Sequence, residues 1–462
     1  MTGRGGTLAA IAVITLSAVY ITLLTAFMAL LRTGLVSTPF GQGATADIVL
    51  GVLGSAFLLV ALIVSTVVVT NAFVLVAASR VNDIALRRLL GASASSERRR
   101  MVAEGVRMSL GSTALGVLLG AGAAYAIFSA GSQQGGMFED AQFSDMLNPF
   151  VIAPLAALQV CTVVAAWRGS AMVLAAKPVQ ALGIASTQAA GGDDEVRLSR
   201  AAALTLLGGI ALLGLTFVAG AFTPLAAFLG IIAGTVVAIG VLAGASGIMP
   251  RVMALIARLL PARGPAALAR RTVSEHPART SRAALGVLIG VAVVSMFVVA
   301  TASANFSLAL RYEGSDLAGE ADEVLLAVMG IVSALIGFVV IIAAVGLATT
   351  VALNTRLRAR EIAVARILGQ SRRDAATAIV LESAVLSLAA ALSGLALGAV
   401  LGWVGAQSVI GVAMPGGVVL PFVPLPLIGV VLATSIVLTI LSSAAPLRFV
   451  LADSPVRAFA RA

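Results

Sequence analysis

Cysteine is almost absent from this chain. Cys161 is the only one, so neither an internal disulfide nor a thiolate metal cluster can form. Lysine is as scarce: Lys177 stands alone, no G-x-x-x-x-G-K-[ST] phosphate loop occurs, and ATP-dependent work therefore requires another subunit. The single histidine, His276 in "ARRTVSEHPARTSRAALG", has no second histidine or cysteine near it to complete a metal or acid–base site. A serine-nucleophile elbow and a paired-carboxylate motif are also missing, which leaves membrane-enzyme chemistry without a centre. Charged residues make up 11% of the chain, well below the roughly 25% of a soluble domain. Aromatic residues are 5% and the arginines fall in bands between apolar segments, so the net charge of +10 describes membrane topology and not nucleic-acid binding.

Apolar sequence fills the space. Of 462 residues, 60% are hydrophobic, and the mean hydropathy is +1.08. Val49 to Ala78 carries no Lys, Arg, Asp or Glu and exceeds the about 20 helical residues that cross a ~30 Å hydrocarbon layer. The N-terminal "MTGRGGTLAAIAVITLSAVYITLLTAFMALL" has an apolar core longer than a signal-peptide core of roughly 7–15 residues, and reads as a retained first span. Charge-poor segments at 8–31, 48–79, 103–129, 149–167, 201–220, 224–248, 283–303, 324–350, 375–403 and 422–444 give ten expected transmembrane helices. The fifth and sixth, separated by "AGAFTP" around Pro224, read as a tight hairpin.

Short cytoplasmic loops carry excess arginine and lysine, and the bands give one orientation. Arg4 precedes the first span. Arg87, Arg88 and Arg98 follow the second, Arg168 and Lys177 the fourth, Arg270 and Arg271 the sixth, Arg360 and Arg366 the eighth, and Arg448 and Arg457 lie at the C-terminal end. The opposite loops are acidic, with Glu139, Asp140 and Asp145 in one and Glu313, Asp316, Glu320, Asp322 and Glu323 in another. Both termini are expected in the cytoplasm.

One basic phrase is written twice. "NDIALRRLLGAS" at 82–93 returns as "REIAVARILGQS" at 360–371, an offset that pairs Arg80 with Arg358, Asp83 with Glu361, Ile84 with Ile362, Arg88 with Arg366, Gly91 with Gly369, Glu104 with Glu382, Gly116 with Gly394 and Gly120 with Gly398. "AKPVQAL" at 176–182 likewise resembles "DSPVRAF" at 453–459, with Pro178 opposite Pro455. The fold expected is all-α and polytopic: two parallel four-helix repeats, related by an axis along the membrane normal, plus the central hairpin. The corresponding divisions are 1–190, 191–250 and 251–462. Ile84, Leu86, Leu89 and Leu90 recur at helical spacing beside the arginines, which describes an amphipathic cytoplasmic helix stopped by Gly91 as a left-handed cap, and by Gly369 in the second copy. Glu104 and Glu382 fall at the membrane edge as interfacial structural pairing residues, and a transport carboxylate is the other use of such positions. The glycine-rich "GSTALGVLLGAGAAYA" and "SGLALGAVLGWVGA" allow close helix contact.

These residues resemble the FtsX-like permeases of ATP-binding-cassette transporters, related to macrolide-export and lipoprotein-release permeases. The likeness rests on the two four-helix units, Asp83 through Gly91 with Glu104, Arg360 through Gly369 with Glu382, and the segments around Pro178 and Pro455. "ALARRTVSEHPARTSRAALGVLIGVAVV" at 267–294 resembles the family's basic cytoplasmic helix leading into a repeat. The resemblance implies a permease subunit with no cofactor of its own, in a bacterial plasma membrane. A pair of cytoplasmic ATPase subunits would bind ATP and Mg and act on residues 80–92 and 358–370. Asp83, Ile84, Arg88, Gly91, Glu361, Ile362, Arg366 and Gly369 then form the coupling surface. Members of the family commonly carry a large extracytoplasmic domain after the first span of a repeat. Here the corresponding loops run only from about Arg32 to Asp47 and from Thr301 to Asp322, too short for a folded domain. A lipid-like or amphipathic substrate, exported or extracted from the bilayer, fits that architecture. The alternative is an ATPase-gated regulator that passes motion to an extracytoplasmic partner without moving cargo, and a secondary carrier is the more distant reading.

Overall fold

A computed structural model describes residues 3–36, 44–79, 81–132, 151–170, 199–261, 263–275, 277–312 and 371–452. All the regular structure there is helical: α1 Gly3–Val36, α2 Ala44–Ser79, α3 Val81–Leu89, α4 Ala94–Ser132, α5 Ile152–Gly169, α6 Arg200–Gly220, α7 Ala226–Ala257, α8 Gly264–Glu275, α9 Pro277–Tyr312, α10 Arg372–Ile410 and α11 Leu425–Ala452. In a hydrocarbon layer the backbone must satisfy its own hydrogen bonds, and the helix does so residue by residue. The chain is an all-α, multi-pass membrane protein.

Eight of these helices are long and apolar enough to cross a bilayer. They correspond to the expected spans at 8–31, 48–79, 103–129, 149–167, 201–220, 224–248, 283–303 and 375–403. The expected last span lies in α11, whose apolar stretch Leu425–Ile440 is shorter. The span expected at 324–350 lies outside the described residues. Several helices outrun their apolar cores: α4 begins nine residues before the expected 103 because Ser93 caps it through the hydrogen bond from Ser96 N to Ser93 Oγ at 3.1 Å. α7 likewise passes through Pro250 to Ala257.

The described helices fall into two compact units, α1–α5 in the first and α6–α11 in the second. In the first unit α1 packs along α4 and α2, and α5 lies against α2 and α4. Phe73 of α2 fills the space left by two missing side chains, Gly105 of α4 and Gly169 at the end of α5. Ser17 and Ser65 hydrogen-bond across α1 and α2 at 2.5 Å. In the second unit α9 and α10 form the most extensive helix pair, α11 joins α10, and the α6–α7 hairpin packs on α10. Met249, Met253, Leu288, Val291, Ala389 and Leu427 belong to one buried cluster built from α7, α9, α10 and α11.

Candidate functional site

The first copy of the repeated phrase folds as expected, into a short amphipathic helix closed by a left-handed glycine. Gly91 has φ +99°. Its N–H bonds to Arg88 O at 3.1 Å and the Ala92 N–H bonds to Arg87 O at 3.0 Å, the paired 5→2 and 6→1 bonds of a Schellman end. Only glycine takes that φ without a Cβ penalty, which explains why the phrase ends in it. Two residues later Ser93 starts α4, so the chain turns from one helix into the next within four residues.

Which face of α3 points inward is settled by Ile84. It is buried and clusters with Val76 and Ala77 of α2 and Met101 of α4. Arg87, on the outer surface, reaches Glu97 of α4 at 3.4 Å. Leu86, Leu89 and Leu90 point away from this anchor, and Leu90 is 88% exposed. Ile84 therefore fastens α3 to its own unit, and the apolar surface open to a partner is Leu86, Leu89 and Leu90, beside Arg88. Asp83 lies in α3. Glu361, Ile362, Arg366 and Gly369 lie outside the described residues, as does His276.

The second copy becomes visible at its last letter. Ser371, the counterpart of Ser93, caps α10: the Asp374 N–H donates to Ser371 Oγ at 3.1 Å. Both phrases thus end on the serine that starts the following long helix, a role that the shared letter signals and that the sequence reading passed over. Glu104 and Glu382 diverge. Glu104 is exposed and lines a small crevice with Thr7, Phe73, Val76, Met101 and Met108, whereas Glu382 is 6% exposed on α10. Equal sequence positions have been given unequal surroundings.

The paired glycines make the same helix crossing in both units. A Cβ on Gly116 would meet Thr15 O, Ala18 Cβ and Val19 N of α1; on Gly394 it would meet Leu288 O, Val291 Cβ and Ala292 N of α9. Gly120 faces Val19 O and Thr22 Cβ, and Gly398 faces Ala292 O and Ser295 Cβ. Each contact atom on α1 has its counterpart on α9 at one constant spacing along the sequence, in the same backbone or side-chain role. A further polar link joins the last two described helices of each unit. Ser109 and Thr113 of α4 bond to Gln159 of α5, the latter at 2.6 Å, and Ser387 of α10 bonds to Thr439 of α11 at 2.6 Å.

Arg98 belongs to the first unit alone. Its guanidinium lies 4.1 Å from the Trp167 ring centre and donates to Trp167 O at 2.8 Å, placing a cation at the carbonyl end of α5. It ties the start of α4, next to the repeated phrase, to the end of α5. No sequence signal pointed to it, because position 376 of the second copy is Ala376.

The sequence model of a family described as "FtsX-like permease C-terminal" matches residues 55–176 and 333–455, more than half of the 462 residues. The two matched segments contain the two copies of the phrase and the helices that follow them. No curated protein matches the chain.

Proposed function

Since the chain belongs to the FtsX-like permease family, we propose that it is the transmembrane subunit of an ATP-driven ATP-binding-cassette transporter. As a permease it is a transport subunit and not an enzyme. In this reading ATP and Mg bind to separate cytoplasmic ATPase subunits, one seated on α3 and one on residues 358–370. The observation that carries it is the build of α3. Ile84 and the Arg87–Glu97 pair hold the helix against α2 and α4, so a push on it reaches two long membrane helices directly. Leu86, Leu89 and Leu90 offer an apolar contact with no intrachain cover among the described residues, next to arginines suited to surface acids of an ATPase.

The topology proposed has ten spans in two four-helix repeats, divided at 1–190, 191–250 and 251–462, with both termini in the cytoplasm of a bacterial plasma membrane. Arginine bands support the orientation, and the equivalent glycine crossings of α1 with α4 and α9 with α10 support the repeat. The substrate class proposed is a lipid-like or amphipathic molecule exported or extracted from the bilayer, because the outer loops of the repeats leave no room for a folded extracytoplasmic domain. The test is co-purification with the ATP-binding subunit, followed by reconstitution in vesicles with a fluorescent phospholipid. ATP-dependent movement of the probe supports the transporter. ATP hydrolysis without movement points to the regulator acting on an extracytoplasmic partner. A chain that recruits no ATPase contradicts both.

A further inference from the structure

The connection between α10 and α11 is unlike a loop that meets water. From Ser383 to Leu447 the sequence has no Asp, Glu, Lys, Arg or His, and the connection itself reads "GVAMPGGVVLPFVPLP". The corresponding connection in the first repeat, 133–150, holds Glu139, Asp140 and Asp145. Between Arg200 and Arg251 the α6–α7 hairpin is also charge-free, including its tip. The two meet. Gly411 lies against Gly220 O, and Gly417 against Ala221, at distances that leave no space for a Cβ.

Five backbone groups of this strap are bonded by side chains from the helices below it. Gln407 of α10 donates to Gly417 O at 2.6 Å and accepts from Val419 N at 2.7 Å. Trp403 Nε1 donates to Val419 O at 2.8 Å. From α9, Ser307 accepts from Leu420 N at 3.1 Å and Ser303 accepts from Phe422 N at 3.0 Å. Pro421 and Pro424 have no N–H to satisfy. The turn into the strap uses Gly416 and Gly417, both at φ +72°. With those bonds made internally, the segment faces outward through Val418, Leu420, Phe422 and Val423, joined by Leu425 at 81% exposure and by Phe222 of the hairpin tip at 78%.

Depth agrees with chemistry. Along α9, Ser303 stands roughly 32 Å from Arg282 and Arg311 about 12 Å beyond it, at 1.5 Å per residue; the hydrocarbon layer is ~30 Å thick, inside about 40–45 Å with headgroups. Phe422, held by Ser303, therefore sits where acyl chains meet headgroups, with Arg311 in the headgroup region.

We infer that residues 411–425 and the hairpin tip at 219–225 form a lipid-inserted rim, its apolar side chains in the acyl region of the leaflet at the Arg311 end of α9. Irregular backbone at such depth needs its polar groups satisfied by protein, and the five side-chain bonds do this for Gly417 O, Val419 N and O, Leu420 N and Phe422 N. The occupant is lipid hydrocarbon, the same medium that surrounds the spans on either side of the rim. This inference rests on membrane embedding and is independent of ATPase coupling.

The experiment uses the full chain in vesicles, with Cys161→Ala removing the native thiol and a bimane label on Val418→Cys, Phe222→Cys or Leu425→Cys. Phosphatidylcholine brominated at shallow acyl positions should quench each label several-fold, while aqueous iodide leaves it nearly unchanged; Asp140→Cys, in the acidic connection, should behave in the opposite way. Strong iodide quenching at all three rim positions overturns the inference. Labels insensitive to both quenchers also overturn it, since the rim would then be covered by protein. If the cysteine-free chain does not reconstitute, Phe222→Trp in the otherwise native chain gives the same reading through its added emission.

Discussion

Ile84 and Leu90 are six residues apart in one phrase and do opposite things. Ile84 is buried with Val76, Ala77 and Met101, so Ile84→Asp would place a charge in an apolar cluster and should detach α3 from α2 and α4, at a cost of about 2–4 kcal/mol. Leu90 is 88% exposed, so Leu90→Ser should leave stability within about 0.5 kcal/mol while weakening ATPase recruitment. Thermal unfolding in detergent, read beside co-purification of the ATPase, separates the two. Equal destabilisation by both would contradict the assignment of inner and outer faces. Gly91→Ala belongs with them: at φ +99° an added Cβ costs about 1–2 kcal/mol and should loosen the turn into α4, which amide exchange across residues 88–96 would report as faster exchange.

At the scale of helices, the paired glycines set how closely α4 approaches α1 and α10 approaches α9. Gly116→Ala and Gly394→Ala both push a methyl into a facing backbone carbonyl and should destabilise by about 1–3 kcal/mol through overpacking. Gly122→Ala, with nothing within 4 Å of the new methyl, should be neutral or slightly stabilising. Denaturation in mild detergent checks the contrast, and equal effects at Gly116 and Gly122 would count against the crossing. Part of this was legible in advance. The offset paired the glycines correctly, the phrase announced its own cap at Gly91, and hydropathy located the eight spans found among the described helices. The partners of the glycines were not legible. Thr15, Ala18, Val19 and Thr22 share no pattern of letters with Leu288, Val291, Ala292 and Ser295; what they share is a backbone carbonyl and a tolerable side chain at the same register. The inward turn of Ile84 was hidden for a similar reason. A four-residue apolar face does not say which member meets its own protein and which meets a partner, and both uses require the same residue type. Arg98 escaped notice because one arginine among three, Arg98 to Arg100, reads as topology charge until Trp167 is found beside it.

For the whole molecule, arginine bands and acidic loops predict opposite sides for opposite connections. Cysteines replacing Asp140 and Asp316 should react with a membrane-impermeant maleimide from outside intact cells. Cysteines at Arg88, Arg271 and Arg366 should react only after permeabilisation. The reverse labelling would contradict the ten-span topology. In the proposed topology, two four-helix repeats with the same orientation would place both copies of the phrase on one side of the membrane, as a two-subunit motor on that side requires. Among the described residues the α6–α7 hairpin and the charge-free α10–α11 connection occur in the second unit alone, so the two units share a helix crossing while differing in what they present at their surfaces.

The central claim is that the repeated phrase couples this permease to a separate motor, and permease-stimulated ATP hydrolysis by the purified complex in nanodiscs tests it most directly. Leu86→Ser, Leu89→Ser and Leu90→Ser combined should insert normally, confirmed separately, and lower the stimulation by about tenfold or more, since a lost apolar contact of roughly 1.4 kcal/mol or above changes an equilibrium by that factor. Arg88→Lys and Arg366→Lys, which keep the topological charge but lose the guanidinium fork, should lower it less. Wild-type stimulation in all of these variants would contradict the account and leave the phrase as a topology signal inherited by both halves.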